Sequence, residues 1–163
     1  MEEERSYNFF RFEDLRLYDK SLAYIDWVFQ TTKLFPEIEV NGLSTKFLNS
    51  AENIALNIAE GSGRNKSQFI YHLKMAKTSI RECIVYTTIA KRFDYITEET
   101  AEQSRNCLIE ISKMLGALIS SLQRSSRENS NGNGNGSGSY GNYRPAHKPV
   151  TETEDYSNDD NEY

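Results

Sequence analysis

One stretch in the middle of the chain decides the fold: Asn57-Ile58-Ala59-Glu60-Gly61-Ser62-Gly63-Arg64. Apolar residues at helical spacing lead into this stretch and resume directly after it. Its two glycines predict left-handed residues that close a helix. Asn65 with Gln68, three positions further on, predicts a capping box that opens the next helix. The sequence therefore predicts a tight helical hairpin at this point.

The residues before the hairpin place apolar side chains at alternating steps of three and four, as amphipathic helices do. A first helix is predicted over about residues 12–32, after which Pro36 begins a short helical turn from Pro36 to Glu39. A second helix then leads into the hairpin. The predicted core seam of the first helix is Leu15, Tyr18, Leu22, Ile25, Phe29 and Thr32. That of the second helix is Leu43, Phe47, Ala51, Ile54 and Ile58.

The residues after the hairpin predict two more helices. The third covers about residues 66–92, and the fourth begins after Thr97, a predicted N-cap, with Glu98 and Glu99 where the helix dipole favours negative charge. The third seam is Phe69, Leu73, Ala76, Ile80, Cys83 and Thr87. The fourth, a clean seven-residue repeat, is Ala101, Ser104, Leu108, Ile111, Leu115, Leu118 and Leu122.

Short loops between these helices force neighbours to run antiparallel, which predicts an up-down-up-down four-helix bundle. No stretch alternates apolar and polar residues for long enough to indicate a sheet, so the predicted fold class is all-α. The predicted organisation is an N-terminal arm over residues 1–11, the bundle over residues 12–124, and a tail over residues 125–163.

The tail differs from the body in composition and charge. It is rich in Asn, Gly and Ser and then acidic, which predicts disorder because it has too few apolar residues to offset the ordering entropy. Up to residue 124 there are 16 Lys and Arg against 17 Asp and Glu, whereas the tail has 3 against 7. A body so close to neutral argues against extensive nonspecific phosphate binding.

Several apolar side chains lie off the four seams and predict a protein-protein surface, because one stripe per helix suffices for a lone bundle. The candidate oligomer-interface residues are Leu17, Tyr24, Trp27, Tyr71, Met75 and Tyr86. The alternative is that long helices bury wider faces in the core.

The residue pattern lacks the usual catalytic and metal-binding constellations. Di-iron bundles need Glu-x-x-His pairs on an inward face, but the two histidines are His72, preceded three residues earlier by Phe69, and His147 in the tail. Cys83 and Cys107 are too few and too far apart for a structural zinc site. Cys83 also lies about 16 Å along a helix from His72, so the two cannot form a nucleophile pair. We expect no cofactor, no metal, no catalytic residues and no small-molecule substrate.

The cysteines and the N-terminus predict the compartment. Two widely spaced cysteines at or beside apolar stripes indicate reduced thiols rather than a disulfide. Met1-Glu2-Glu3-Glu4 is acidic with no apolar segment behind it, which predicts neither a secretory signal nor a membrane span. We expect a cytoplasmic protein.

Four groups of residues over about residues 12–123 resemble one bacterial family of four-helix-bundle proteins, first noted as open reading frames in intervening sequences of large-subunit ribosomal RNA. The groups are Phe12-Glu13-Asp14-Leu15, then Phe35-Pro36 with Glu39 and Gly42-Leu43, then the octet from Asn57 to Arg64, and Ser79 with Glu82. The resemblance implies a ring-shaped homopentamer without established enzymatic activity.

The same family includes the accessory variability proteins of diversity-generating retroelements, which bind a reverse transcriptase and its template RNA through basic surfaces. The resemblance therefore also implies RNA or a reverse transcriptase as partners. This sequence departs from the family where Gln and basic residues often follow the Gly-Leu turn, since it reads Lys46-Phe47-Leu48-Asn49. The missing basic pair weakens the expectation of nucleic-acid binding, as does the acidic tail.

Two residue sets are candidates for site roles. The nucleic-acid candidates are Arg64, Lys66, Lys74, Lys77 and Arg81, although the sequence favours an isolated solvated face as the explanation of this cluster. The predicted hairpin motif is Asn57, Glu60, Gly61, Gly63, Arg64, Ser79 and Glu82. In that motif we expect Glu60 or Asn57 to hydrogen-bond Arg64, Ser79 or the start of the third helix. The sequence favours a non-catalytic oligomeric scaffold, with a retroelement accessory protein as the alternative.

Overall fold

A computed structural model describes residues 9–131 of the chain, with side chains described over residues 9–125. Four α-helices follow one another in this range. They are α1 (Arg16–Thr32), α2 (Thr45–Ser62), α3 (Lys66–Arg92) and α4 (Glu98–Asn131). Short helical turns at Arg11–Asp14, Glu37–Glu39 and Val40–Ser44 precede α1 and α2. No strand occurs within residues 9–131, and the predicted all-α fold is confirmed.

The four helices pack in the order of a bundle. α1 contacts α2 and α4, and α3 contacts the same two helices. Because the connections between consecutive helices are short, neighbours run antiparallel. The side of the bundle formed by α1 and α2 therefore lies across the core from the side formed by α3 and α4.

The seams predicted for the last three helices are confirmed. In α2 the buried residues include Phe47, Ala51, Ile54 and Ile58, and Leu43 is buried in the turn before α2. In α3 they include Leu73, Ala76, Ile80, Cys83 and Thr87, with Phe69 partly buried against them. In α4 they include Ala101, Ser104, Leu108, Ile111 and Leu115, followed by Ile119, while Leu118 and Leu122 are partly buried.

The predicted seam of the first helix is confirmed only in part, since Leu15, Tyr18 and Ile25 are partly buried against the core. α1 turns a different stripe into the core, formed by Leu17, Ser21, Tyr24, Val28 and Thr31. Leu22 and Phe29 of the predicted seam are 40% and 45% exposed. Both stripes have three- and four-residue spacing, and the buried one is less apolar because it contains the hydroxyl residues Ser21, Tyr24 and Thr31. Ser21 is nevertheless suited to the core, because its hydroxyl donates to the Leu17 carbonyl at 2.9 Å.

Buried hydroxyl groups link three of the helices through the core. The Tyr24 hydroxyl lies 2.8 Å from Ser104 Oγ, which lies 2.8 Å from Thr87 Oγ1. Thr87 donates its proton to the Cys83 carbonyl at 2.8 Å, so Ser104 must donate to Thr87 and Tyr24 to Ser104. Burial raises the pKa of Tyr24, so the phenol keeps the proton that this chain needs.

The hairpin forms as predicted, but its glycines act differently from the prediction. Gly63 has φ −84° and is not left-handed, and Gly61 lies inside α2. A Cβ on Gly61 would come within 2.7 Å of Phe69 Cδ2 and 2.8 Å of His72 Cβ. Gly61 is therefore needed because α3 passes close to its backbone. Asp94, in the turn after α3, has a left-handed backbone with φ 57°, and it is the one non-glycine residue among residues 9–131 that does.

The predicted polar contacts of the hairpin are present. Asn65 Oδ1 accepts a hydrogen bond from the Gln68 backbone N–H at 3.0 Å and caps α3. Asn57 Oδ1 lies 3.1 Å from His72 Nδ1 and joins α2 to α3. Glu60 contacts Arg64 as expected, while the residue of α3 that Asn57 contacts is His72 in its second turn; that these contacts lock the hairpin stays a prediction.

Two further residues of the predicted hairpin motif lie further along α3. Glu82 accepts a hydrogen bond from Ser50 Oγ of α2 at 2.7 Å. Ser79 is buried and donates to the Met75 carbonyl of its own helix at 3.5 Å. Both therefore belong to the α2–α3 contact rather than to the turn itself.

The Glu39 carboxylate joins the two loops at the opposite end of the bundle. Its Oε2 accepts from the Leu43 backbone N–H at 2.9 Å, and its Oε1 accepts from the Tyr95 hydroxyl at 3.1 Å. A Cβ on Gly42 would lie 2.7 Å from Glu39 Oε2. The spacing of Glu39, Gly42 and Leu43 thus has a physical reason, since the glycine leaves room for the carboxylate. The predicted turn after Pro36 is also present, over Glu37–Glu39.

The termini extend past the described residues. α4 continues to Asn131, beyond the boundary predicted at residue 124. The predicted N-terminal arm lies outside the described residues over 1–8, and the predicted tail lies outside them over 132–163.

Candidate interaction surfaces

The α1 stripe that was predicted to be core instead lines a groove on the surface, which we call the outer α1/α2 groove. It is lined by Tyr18, Leu22 and Ile25 from α1 and by Ala55, Leu56 and Ala59 from α2, and it encloses about 210 Å³. Leu56 is 60% exposed. Phe29 extends the stripe along α1, with the Lys33 ammonium 4.1 Å from its ring centroid. The groove is therefore apolar along its length and open to solvent.

Carboxylates border this groove. Glu52 of α2 lies in its wall. Asp19 and Asp26 are exposed on α1, three residues before and four residues after Leu22, which puts all three on one face of the helix. The outer α1/α2 groove consequently combines an apolar floor with an acidic border.

A second groove lies on the opposite side of the bundle, and we call it the basic α3/α4 groove. It is lined by Lys77, Ile80, Arg81 and Ile84 from α3 and by Leu108, Ile109 and Ser112 from α4, and it encloses about 280 Å³. Arg105 also lies between these helices, because its guanidinium donates to Thr88 Oγ1 at 2.8 Å. Lys113 is exposed one turn beyond Ile109 on the same helix.

The structure divides the predicted nucleic-acid residues into two groups. Arg64 forms an ion pair with Glu60, and its hydrogen bonds lower the pKa of that carboxyl. Lys66 donates to Ser125 Oγ of α4. The remaining residues, Lys74, Lys77 and Arg81, share the side of α3 that faces α4. The five do not form one free patch, since Arg64 has a carboxylate partner.

The structure does not bring the six predicted oligomer residues together. Leu17 and Tyr24 are buried inside the chain, which corrects their assignment to a surface. Trp27 stacks on Tyr24 with ring centroids 5.7 Å apart, and Tyr86 packs beside Phe47 in the core. The two that are exposed are Tyr71 and Met75, at 60% and 39%. A role in association for these two stays a prediction.

The groove residues were missed because α1 has two apolar stripes, and only the tertiary structure shows which of them faces the core. The sequence did contain a signal. Leu22 and Phe29 repeat at heptad spacing, and Leu17 with Tyr24 forms a second repeat on the same helix. A helix with two such stripes has one more than a lone bundle requires.

The described residues show no arrangement suited to catalysis. Over residues 9–131, no cluster of three or more His, Cys, Asp or Glu side chains could hold a metal ion. Both cysteines are free, and burial raises the pKa of Cys83 to about 12, which keeps its thiol protonated. His72 is hydrogen-bonded to Asn57. Within the same part of the chain, no helix is long and apolar enough to cross a membrane.

These features define a class: an antiparallel four-helix bundle with a complete core and further apolar grooves on its outside. The sequence profile of the 23S rRNA-intervening sequence proteins matches residues 13–117, and the chain belongs to that family. A solved structure is also similar, that of a protein of unknown function from the S23 ribosomal protein family of Bacteroides thetaiotaomicron. It is 28% identical, with a TM-score of 0.56, over 63% of this chain and 97% of that one. No curated protein matches the sequence.

Proposed function

We propose that this chain is a non-catalytic scaffold that associates with further copies of itself through the outer α1/α2 groove. The observation that carries this proposal is the α1 stripe of Leu22, Ile25 and Phe29, in which Leu22 and Phe29 are 40% and 45% exposed and Ile25 is partly buried between them. Its spacing is that of a coiled-coil seam, in which side chains of one helix pack between those of another. Leu22 and Phe29 lie outside the core cluster, so their side chains are available to a partner.

The energetics favour covering this groove. Fully burying a leucine or phenylalanine contributes about 1.5–3 kcal/mol, and Leu22, Phe29 and Leu56 each retain a large exposed fraction. An interface also needs polar groups at its border, which the carboxylates of this groove supply. The family resemblance leads us to expect five subunits.

Light scattering coupled to gel filtration tests the proposal. The wild-type chain should elute as an oligomer, and Leu22→Ser combined with Leu56→Ser should lower its mass towards that of one chain while circular dichroism shows the helices retained. Leu34→Ser is the matched control, because Leu34 is 78% exposed and lies beyond the end of α1, away from the groove. A wild-type chain that stays monomeric at high concentration would contradict the proposal.

The second candidate function is that of an accessory variability protein, which binds template RNA and a reverse transcriptase. The row Lys74, Lys77 and Arg81 along one side of α3 supports it, since a ring would repeat this row and gain by multivalency. Retention of RNA on the protein should then fall with salt and be lost in Lys74→Glu with Lys77→Glu. Absence of retention at low salt would exclude this function.

A further inference from the structure

The two grooves of this bundle have opposite charge. Glu52 lines the outer α1/α2 groove, and Asp19 and Asp26 are exposed on α1 at three- and four-residue spacing from Leu22, whereas Lys77 and Arg81 line the basic α3/α4 groove. Each groove also has apolar side chains: Leu22 and Leu56 on the first, and Ile84 and Ile109 on the second. The grooves therefore match each other both in apolar character and in charge.

The position of the grooves decides how copies can meet. They lie on opposite sides of the core, because α1 and α2 form one side and α3 and α4 the other. A two-fold dimer would place like grooves together and set carboxylate against carboxylate, which like-charge repulsion disfavours. Joining unlike grooves pairs opposite charges and leaves one free groove on each outer copy. Such a head-to-tail contact adds further copies, forming a ring where the rotation between successive copies closes and an open filament where it does not.

We infer that the partner of the outer α1/α2 groove is the basic α3/α4 groove of a second copy of this chain. The inference rests on the proposed self-association and adds the surface that completes it. Lys77 and Arg81 of one copy then lie against Asp26 and Glu52 of the next. The contact should weaken as salt rises, because part of it is electrostatic.

Two charge-reversal variants test this pairing. One carries Asp26→Lys with Glu52→Lys, which makes both grooves basic. The other carries Lys77→Glu with Arg81→Glu, which makes both grooves acidic. Each variant alone should lose affinity for its own copies by about tenfold or more, which corresponds to about 1.4 kcal/mol. Circular dichroism confirms that each variant is still helical.

Recombining the charges separates this inference from a general loss of stability. An equimolar mixture of the two variants should associate, since each unlike groove again finds its opposite. One chain carrying all four substitutions should also associate, because its two grooves have only exchanged their charges. Both samples are measured by sedimentation velocity at the concentrations used for the wild-type chain.

The outcomes distinguish the two proposals. A wild-type chain that stays monomeric overturns self-association and this inference together. A wild-type oligomer that both variants retain overturns only the pairing of these grooves. The pairing is also overturned if neither the mixture nor the fourfold variant associates. It is overturned equally if Lys77→Glu with Arg81→Glu abolishes RNA retention and leaves the oligomer intact, because the basic groove is then a nucleic-acid surface.

Discussion

At the scale of single residues, Gly61 sets how closely α2 and α3 approach. An alanine there would gain about 0.5–1 kcal/mol from helix propensity. Its Cβ would, however, meet Phe69 and His72 at distances under 3 Å, and overpacking of this kind costs about 1–3 kcal/mol. The clash outweighs the propensity, so we predict that Gly61→Ala lowers the free energy of unfolding measured in urea.

Gly63→Ala is the control for that substitution. Gly63 has an ordinary negative φ, and its added Cβ would be 3.8 Å from the nearest atom, the Glu60 carbonyl oxygen. Alanine should be tolerated there or be stabilising by up to about 1 kcal/mol. Equal losses at both glycines would show that backbone freedom, and not close packing, explains Gly61.

Asn57 joins the two helices of the hairpin through its side-chain amide. Its Oδ1 contacts His72 Nδ1, and its Nδ2 donates to the Asn53 carbonyl at 2.8 Å. Asn57→Ala removes the bond between helices, and we predict a loss of about 1 kcal/mol and a lower melting temperature. Asn53→Ala, one turn earlier on an exposed position, should leave the melting curve nearly unchanged. If the Asn57→Ala variant melts like the wild type but no longer binds another molecule that the wild type binds, Asn57 has a binding role.

The two cysteines should differ in reactivity. Cys83 is buried, which raises the pKa of its thiol to about 12, whereas Cys107 is exposed. A thiol-specific reagent at pH 8 should therefore modify Cys107 in the native chain and both cysteines in denaturant. Rapid native modification of Cys83 would contradict its position in the core.

The raised pKa of Cys83 also sets the direction of an alkaline effect on stability. The native state holds the thiol proton above pH 9, where the unfolded state releases it, so the free energy of unfolding should fall from about pH 9 to about pH 12. Tyr24 acts in the same direction. Cys83→Ala should reduce this slope.

At the scale of structural elements, Glu39 couples the α1–α2 connection to the α3–α4 turn. Its two oxygens accept from Leu43 and from Tyr95, and a glutamine has only one oxygen to offer. We predict that Glu39→Gln and Tyr95→Phe show a coupling of about 1 kcal/mol in a double-mutant cycle of unfolding free energies. Additive effects would mean that the two loops are held independently.

The helices also show what the sequence can and cannot predict. α2, α3 and α4 each have one dominant apolar stripe, so spacing alone identified their buried residues. α1 has two stripes, and spacing favours the more apolar one, with Leu22 and Phe29, as the core stripe. The stripe that faces the core contains Ser21 and Tyr24, whose hydroxyl groups are satisfied by hydrogen bonds that spacing cannot show. The exposed grooves were missed for the same reason.

At the scale of the whole molecule, the described residues form a bundle with a continuous buried core. The polar core groups Tyr24, Ser104 and Thr87 hydrogen-bond one another. The function that we propose uses two surface grooves, one with Glu52 in its wall and one lined by Lys77 and Arg81. Membership in the 23S rRNA-intervening sequence protein family agrees with this arrangement without assigning a reaction.

The most direct test of this claim measures whether the outer α1/α2 groove is covered when copies associate. A cysteine is placed at Leu56 in the groove, or at Gln103, an exposed residue of α4 that lines neither groove, as the control, in a chain carrying Cys107→Ala. The rate of thiol modification at position 56 should fall as protein concentration rises, while the rate at position 103 stays constant. Equal rates at position 56 at all concentrations, in samples shown by scattering to be oligomeric, would contradict the assignment of this groove as the interface.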